Sequence, residues 1–445
     1  MVSTKSWMAA AMMLLSLAAA GQDYSATKQV QENDNWRAEA NARIEQHRKE
    51  DVSIRLTQNG KPVNNATVRV EMTRHEFLFG SNVFAYGTNE EYNRRFAELL
   101  NFATMGFYWA GYEREKDKPN YAGTQPVAEW CAANGIIGKG HPLIWNTGEP
   151  SWIKDMTEEE ILRRQMARTT DCVARFKNTI TVWDVVNEMV GWDRENYWGY
   201  APRLTSLVVN NTGKVPFCKA AFAAARKGNP NATLLINDWM VYSDRLKDDR
   251  RYSDLLSRLT DEKGQPIYDA IGIQSHMHGG PWINKKIWDV CEEFAKFGKP
   301  LHFTEVTILS TTVQRDWGSL TEDEPSTPEG EAFQRDALER FYTMVFSHPA
   351  TAAITWWDFS DRNAWRHAPA GLLHKDMTPK PAYEALKKLI KNDWATNTTV
   401  KTDKTGTAKL RAFRGDYRIT VTQGKKTRVF TEKVAKGKGV IEIEL

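Results

Sequence analysis

Residues 180–188 read Ile-Thr-Val-Trp-Asp-Val-Val-Asn-Glu, an apolar, β-branched run that stops abruptly at an amide and a carboxylate. Such a run suits a strand buried on both faces. Asn187 and Glu188 have no reason to close it unless the strand end is used. Residues 301–305 repeat the pattern as Leu-His-Phe-Thr-Glu, closing at Glu305. Other runs also end in polar groups: Gln274-Ser275-His276 after Ala270, Asn237-Asp238 after Ala232, and Gly140-His141-Pro142-Leu143-Ile144-Trp145 after Ile136. With the runs at 77–82, 102–107 and 352–357 there are eight candidate strands, separated by amphipathic stretches. Alternating βα units in that number predict an α/β fold, a (β/α)8 TIM barrel over residues 73–393. A doubly wound open sheet competes, but no Gly-rich phosphate loop opens a helix after the first strand.

Outside the barrel the apolar period changes to two. Val52, Ile54 and Leu56 precede a turn at Asn59-Gly60-Lys61-Pro62, and Val68, Val70 and Met72 follow it. The tail alternates in the same way through Tyr417, Ile419 and Val421, then Ile441 and Ile443. A lone hairpin is not stable in water. Residues 48–72 and 396–445 are therefore expected to be two parts of one small accessory β-sandwich module, with the barrel inserted between them. A short surface helix is expected near Trp36 to Arg48.

The 60 basic and 56 acidic residues leave a net charge of +4 with no basic arm, so neither nucleic acid nor an anionic membrane is an expected partner. Near the start, Lys5 is followed by an apolar run from Trp7 to Leu17 and by Ala18, Ala19 and Ala20. That order reads as a signal peptide over residues 1–20; a membrane anchor needs roughly 18 to 25 apolar residues. A secreted chain, extracellular or periplasmic, without membrane insertion and monomeric, is the expectation. Cys131, Cys172, Cys218 and Cys291 lack zinc-site spacing and are expected to be buried thiols, or to form at most one or two disulfides. No metal or organic cofactor is expected. The 17 Trp supply flat faces for core packing and for stacking on sugar rings.

In a barrel of this kind catalytic groups sit at the C-terminal strand ends, which places Glu188 and Glu305 around one mouth. Paired carboxylates suit glycosidic bond cleavage: one protonates the leaving oxygen while the other acts on the anomeric carbon. A separation of about 5 to 5.5 Å permits a covalent intermediate, and about 6.5 to 9.5 Å leaves room for water. Their environments must hold one protonated and the other ionised.

The stretches W-D-V-V-N-E at 183–188, T-E at 304–305, Q-S-H at 274–276, G-H-x-L-x-W at 140–145, N-D at 237–238, W-D-F-S-D-R-N-A-W-R at 357–366 and P-K-P-A-Y at 379–383 occur in an order that resembles glycoside hydrolase family 10, the xylanase family. The resemblance implies a retaining endo-β-1,4-xylanase-like activity on β-linked plant polysaccharide, with Glu188 as general acid/base and Glu305 as nucleophile. It also implies that Asn187 binds the sugar 2-hydroxyl and that Gln274 and His276 orient the nucleophile and substrate. By the same likeness, His141 and Trp145 line the −1 side, Trp357 and Trp365 form aromatic walls, and Asp238 supports the network from behind.

The likeness weakens after the second strand. The family's acidic and amide-rich stretch ending in Lys-Trp is replaced by Thr104-Met105-Gly106-Phe107-Tyr108-Trp109-Ala110-Gly111-Tyr112-Glu113, and Asn146 stands where the family usually has His. Phe107, Tyr108 and Trp109 are therefore expected to reshape the −2 region, leaving decorated xylan or another β-glycan open as substrate. A noncatalytic carbohydrate-binding protein on a decayed barrel is the competing function. Retention of Glu188, Asn187, Glu305 and His276 together argues against it.

Overall fold

The computed structural model describes residues 35–193, 202–239, 241, 250–311 and 325–445; the expected signal peptide lies outside them. Three strands come first: β1 (Lys49–Gln58), β2 (Lys61–Pro62) and β3 (Thr67–His75). The barrel strands follow: β4 (Leu78–Asn82), β5 (Phe102–Gly106), β6 (Ile137–His141), β7 (Ile180–Asn187), β8 (Thr233–Asp238), β9 (Ala270–His276), β10 (Leu301–Thr307) and β11 (Thr351–Trp356). These eight pair in parallel, each with its neighbours in the chain, and β11 closes onto β4. Helices begin where local chemistry dictates: Asn89, Thr157 and Thr327 accept backbone N–H groups at the starts of Glu90–Leu99, Glu158–Arg175 and Pro328–Ser347.

The third barrel strand is shorter than its apolar run. It stops at His141, because Pro142 has no N–H to continue the ladder. The chain nevertheless stays beside β7: the Leu143 N–H donates to the Asp184 carbonyl, and Ile144 bridges Val186. Gly140 is required by packing, since a Cβ there would lie 2.1 Å from the Trp183 ring. Deeper in the barrel Phe102, Val182, Leu235, Ala270 and Ala353 form a buried cluster, so the interior is a packed core rather than a pore.

Strands β12 (Asn397–Lys401), β13 (Thr407–Phe413), β14 (Gly415–Gln423), β15 (Lys426–Val434) and β16 (Val440–Glu444) complete the chain. One sheet has the order β13-β1-β16, with β2 on β1, and the other runs β12-β3-β14-β15. Each sheet thus draws strands from both ends of the sequence. Val52, Ile54, Val68, Val70, Tyr417, Ile419, Ile441 and Ile443 form the core between the sheets. Asn59 and Gly60 both have positive φ, 50° and 72°, as a tight two-residue hairpin turn requires. Arg48 fastens this unit to the barrel: its guanidinium donates to the carbonyls of Phe346 and His348, both at 2.6 Å. The Trp394 ring stacks on Phe346 at 4.3 Å between centroids. All four cysteines are buried free thiols, so the disulfide alternative does not hold.

Candidate active site

Glu188 and Glu305 line one cavity of about 540 Å³ at the barrel mouth. Asn187 is the last residue of β7, and Glu188 turns out of the strand with φ 59°, in the left-handed region where a side chain is strained. Strand β8 holds it there. The Glu188 N–H donates to the Asn237 carbonyl at 2.8 Å, and Asp238 Oδ2 accepts the Val190 N–H at 3.0 Å. Asp238 thus caps the turn that follows the carboxylate, and it is not among the residues that line the cavity.

The Glu188 carboxyl receives three donors: Trp145 Nε1 at 3.1 Å on Oε2, and Gln274 Nε2 at 3.1 Å and Asn187 Nδ2 at 3.2 Å on Oε1. Burial, followed by the charge of Glu305, pushes Glu188 up to about 8. Those three contacts can only donate, so none of them accepts the proton that Glu188 carries. Glu305, 4% exposed on β10, has the opposite balance. Burial would raise it, but the hydrogen bond from His276 and the charges of His141, His276 and Lys139 outweigh that and bring it below the usual carboxylate range. His276 Nε2 lies 3.0 Å from Oε2, and its Nδ1 is tied to Thr307 Oγ1 at 2.8 Å.

Gln274 does not serve the nucleophile as expected. Its side chain crosses to Glu188 and to Asn187 Oδ1, the latter at 3.3 Å. The amide that meets Glu305 is Asn237, whose Nδ2 lies 2.8 Å from both Glu305 Oε1 and Asn187 Oδ1. With its oxygen occupied by two donors, Asn187 must present its NH2 edge, which bridges to Glu188. Sequence reasoning singled out Asp238 and passed over the neighbouring Asn237; alternation along β8 was the available signal, because only one of the two can point into the barrel.

His141 Nδ1 is 2.7 Å from Asp184 Oδ2, which Lys139 Nζ also reaches at 2.7 Å. Burial raises Asp184, but Lys139 and His141 overcome it and the carboxyl is held below its usual range. His141 Nε2 points toward Glu305, 3.9 Å away. Trp357 stands edge-on to His141 at 5.4 Å and to His276 at 5.9 Å, and Trp365 lies 4.4 Å from His276. Of the residues that the family likeness placed at the site, all but Asp238, which was expected behind it, line the cavity.

The expectation for the second strand needs correction. Phe107 is fully buried against Trp183, and Trp109 is buried with its Nε1 on Glu113. Only Tyr108 of the three lines the cavity. Strand β5 ends at Gly106 and the chain enters a helical turn over Trp109–Tyr112, which sends Phe107 and Trp109 inward. Asn82, Phe84, Trp239, Asp358 and Asn363 also line the cavity and were given no role from the sequence, although Asn82 closes a candidate strand, Trp239 follows another, and Asp358 and Asn363 lie within the W-D-F-S-D-R-N-A-W-R stretch. Among the described residues no group of His, Cys, Asp and Glu could hold a metal ion, and no helix is long and apolar enough to cross a membrane.

The model of glycosyl hydrolase family 10 matches residues 71–389. The chain is 26% identical over 429 residues to anti-sigma-I factor RsgI6 of Acetivibrio thermocellus, covering 92% of this chain and 49% of that protein. It is 25% identical over 327 residues to endo-1,4-beta-xylanase B of Thermotoga neapolitana, covering 71% of this chain and 87% of that enzyme. With endo-1,4-beta-xylanase 1 of Arabidopsis thaliana it shares 25% over 394 residues, which is 86% of this chain but 37% of the plant protein. The chain thus spans about half the length of the first of these relatives and less of the third. Among solved structures, xylanase 10B from Thermotoga petrophila RKU-1 in complex with xylobiose superposes with a TM-score of 0.59 at 24% identity, over 72% of this chain and 95% of that one, a likeness of fold.

Proposed function

The chain belongs to glycosyl hydrolase family 10, and from that membership we propose that it is a retaining, endo-acting, xylanase-like β-1,4-glycosidase. The observation that carries this reading is the electrostatic asymmetry of one cavity: burial keeps a proton on Glu188, while His276, His141 and Lys139 keep Glu305 an anion. Glu305 attacks the anomeric carbon as Glu188 passes its proton to the leaving oxygen, the acceptor its three donor contacts leave open. Once Glu305 is esterified its charge is gone, and one cause of the raised Glu188 pKa goes with it. Glu188 then takes a proton from the water that releases the sugar. Asn187, its oxygen fixed by Asn237 and Gln274, offers Nδ2 to the 2-hydroxyl.

Linear β-1,4-xylan is the first substrate to test. The aromatic rim of Phe84 and Tyr108 favours decorated xylan or another β-glycan as the second reading. Digestion of a panel of linear and substituted β-glycans, with Glu188→Ala and Glu305→Ala beside the parent, tests both readings. Oligosaccharide release by the parent alone supports the assignment; binding without turnover by all three proteins supports a noncatalytic receptor. Proton NMR of the first product must show the retained anomer, and an inverted one refutes the double displacement. We further propose that residues 1–20 direct export and that 48–72 and 396–445 act as one accessory module beside the 73–393 barrel. Recovery of the full-length chain, uncleaved, from the cytoplasm of the producing cell would refute the first of these.

A further inference from the structure

One carboxyl of the cavity has no part in this chemistry. Asp358 follows Trp357, is 7% exposed and lines the same cavity as Glu188 and Glu305. Its Oδ1 accepts the Trp365 N–H at 3.1 Å, whereas its Oδ2 makes no hydrogen bond of good geometry in the protein, the Asn82 side chain being only a minor influence on the carboxyl. A buried oxygen left unpaired is costly, and at the wall of a binding cavity the partner that can repay the cost is the ligand. Asp358 also lies outside the chain of hydrogen bonds joining Glu188, Asn187, Asn237 and Glu305.

The surroundings have the makings of a sugar site. Phe84 is 46% exposed and stands edge-on to Trp357 at 5.8 Å and to Tyr108 at 6.3 Å. Asn82, 6% exposed, lines the cavity and accepts the Phe84 N–H on its Oδ1 at 3.4 Å. An open aromatic face with polar side chains at its edge holds a sugar by its apolar face and reads its hydroxyls at the rim. Burial, helped by Asp361 and Glu305 and opposed by the Trp365 N–H and Asn82, pushes the Asp358 carboxyl up to about 7. Near neutrality Oδ2 can therefore accept from a hydroxyl or donate to one.

We propose that Asp358 is a specificity residue of this cavity, pairing through Oδ2 with a hydroxyl of the sugar unit that rests on Phe84, one unit beyond the ring being cleaved. The proposal rests on the glycosidase reading. It is tested with the full chain by comparing kcat/KM on an aryl β-xyloside, which fills one sugar position, and an aryl β-xylobioside, which fills two. Asp358→Ala is expected to lower kcat/KM on the bioside by roughly 10- to 100-fold, mainly through KM, with a smaller loss on the xyloside. Asp358→Asn, which can still bind the Trp365 N–H and a hydroxyl, should recover most of the loss. Phe84→Ala, at a position 46% exposed, should show the same split if Asp358→Ala does not fold. Equal losses on both substrates would make Asp358 only a support for Trp365 and overturn the proposal, as would unchanged kinetics in Asp358→Ala and Phe84→Ala. A parent inactive on both substrates and on every glycan of the panel refutes the glycosidase reading itself.

Discussion

Trp145→Phe removes the indole N–H together with the five-membered half of the ring system, leaving a smaller aromatic ring where the indole packs 5.8 Å from Tyr108. That N–H donates to Glu188 Oε2 at 3.1 Å, one of three donors that stabilise the carboxylate form. A hydrogen bond to a charged group is worth about 1.5–3 kcal/mol; at 3.1 Å and with two donors remaining, the lower figure applies. One pKa unit corresponds to about 1.4 kcal/mol. Losing a donor to the anion raises the pKa, so the basic limb of the kcat/KM profile moves upward from about 8 by roughly one pH unit. Glu188 is already mostly protonated at pH 7, so the added proton affinity brings no gain there. The cost appears as the proton leaves, when the growing negative charge on Glu188 lacks its donor. Turnover of a substrate with a poor leaving group should fall by up to about tenfold, while an activated aryl glycoside, which needs little protonation, is nearly unaffected. The assay is kcat/KM from pH 4 to 10 on both substrates, with thermal melting to verify the fold. A basic limb that stays put or moves down, or an equal loss on both substrates, would refute Glu188 as the proton donor.

His276→Phe preserves an aromatic ring beside Trp365 but takes the hydrogen bond from Glu305 Oε2; the nucleophile's pKa rises and the acid limb shifts to higher pH, and an unmoved acid limb would contradict the assignment. Glu188→Gln should stabilise the fold. A carboxyl raised from 4.5 to about 8 on folding holds its proton more tightly in the folded state, so the parent loses stability as pH rises through that window, by up to about 3 kcal/mol at pH 7. Melting temperatures of the Gln variant and the parent should accordingly diverge between pH 5 and 8, and parallel curves would refute the shift. Gly140→Ala forces a methyl group into the Trp183 ring, at 2.1 Å, and is expected to cost about 3 kcal/mol or prevent folding; a variant that melts with the parent would show that Trp183 can move aside.

The barrel was legible because its strands are largely buried on both faces: predominantly apolar runs such as 180–186, broken only by Thr181 and Asp184, and 301–303, broken by His302, are spaced by amphipathic helices and leave few other folds open. The acids were legible for a related reason, since Asn187-Glu188 and Thr304-Glu305 interrupt runs that burial would otherwise continue. The alternation of Val52, Ile54 and Leu56 and of Tyr417, Ile419 and Val421 announced half-buried strands. Only the tertiary structure decided that β1 lies between β13 and β16 and that β3 lies between β12 and β14, because pairing across more than 300 residues leaves no local trace.

Side-chain direction and charge state likewise belonged to the assembled barrel. A strand end identifies which residues reach the mouth, but whether Gln274 or Asn237 meets the nucleophile depends on reach across neighbouring strands. Phe107, Tyr108 and Trp109 look alike in sequence, and the helical turn after Gly106 buries two of them and leaves Tyr108 in the cavity. The division of labour between two chemically identical glutamates is also an effect of place. Glu188 is buried among donors too few to offset its burial, and Glu305 is buried beside His276, His141 and the Lys139 ammonium beneath them. Residue identity supplied the two carboxyls; distance and burial, which exist only once the barrel closes, assigned the proton to one of them.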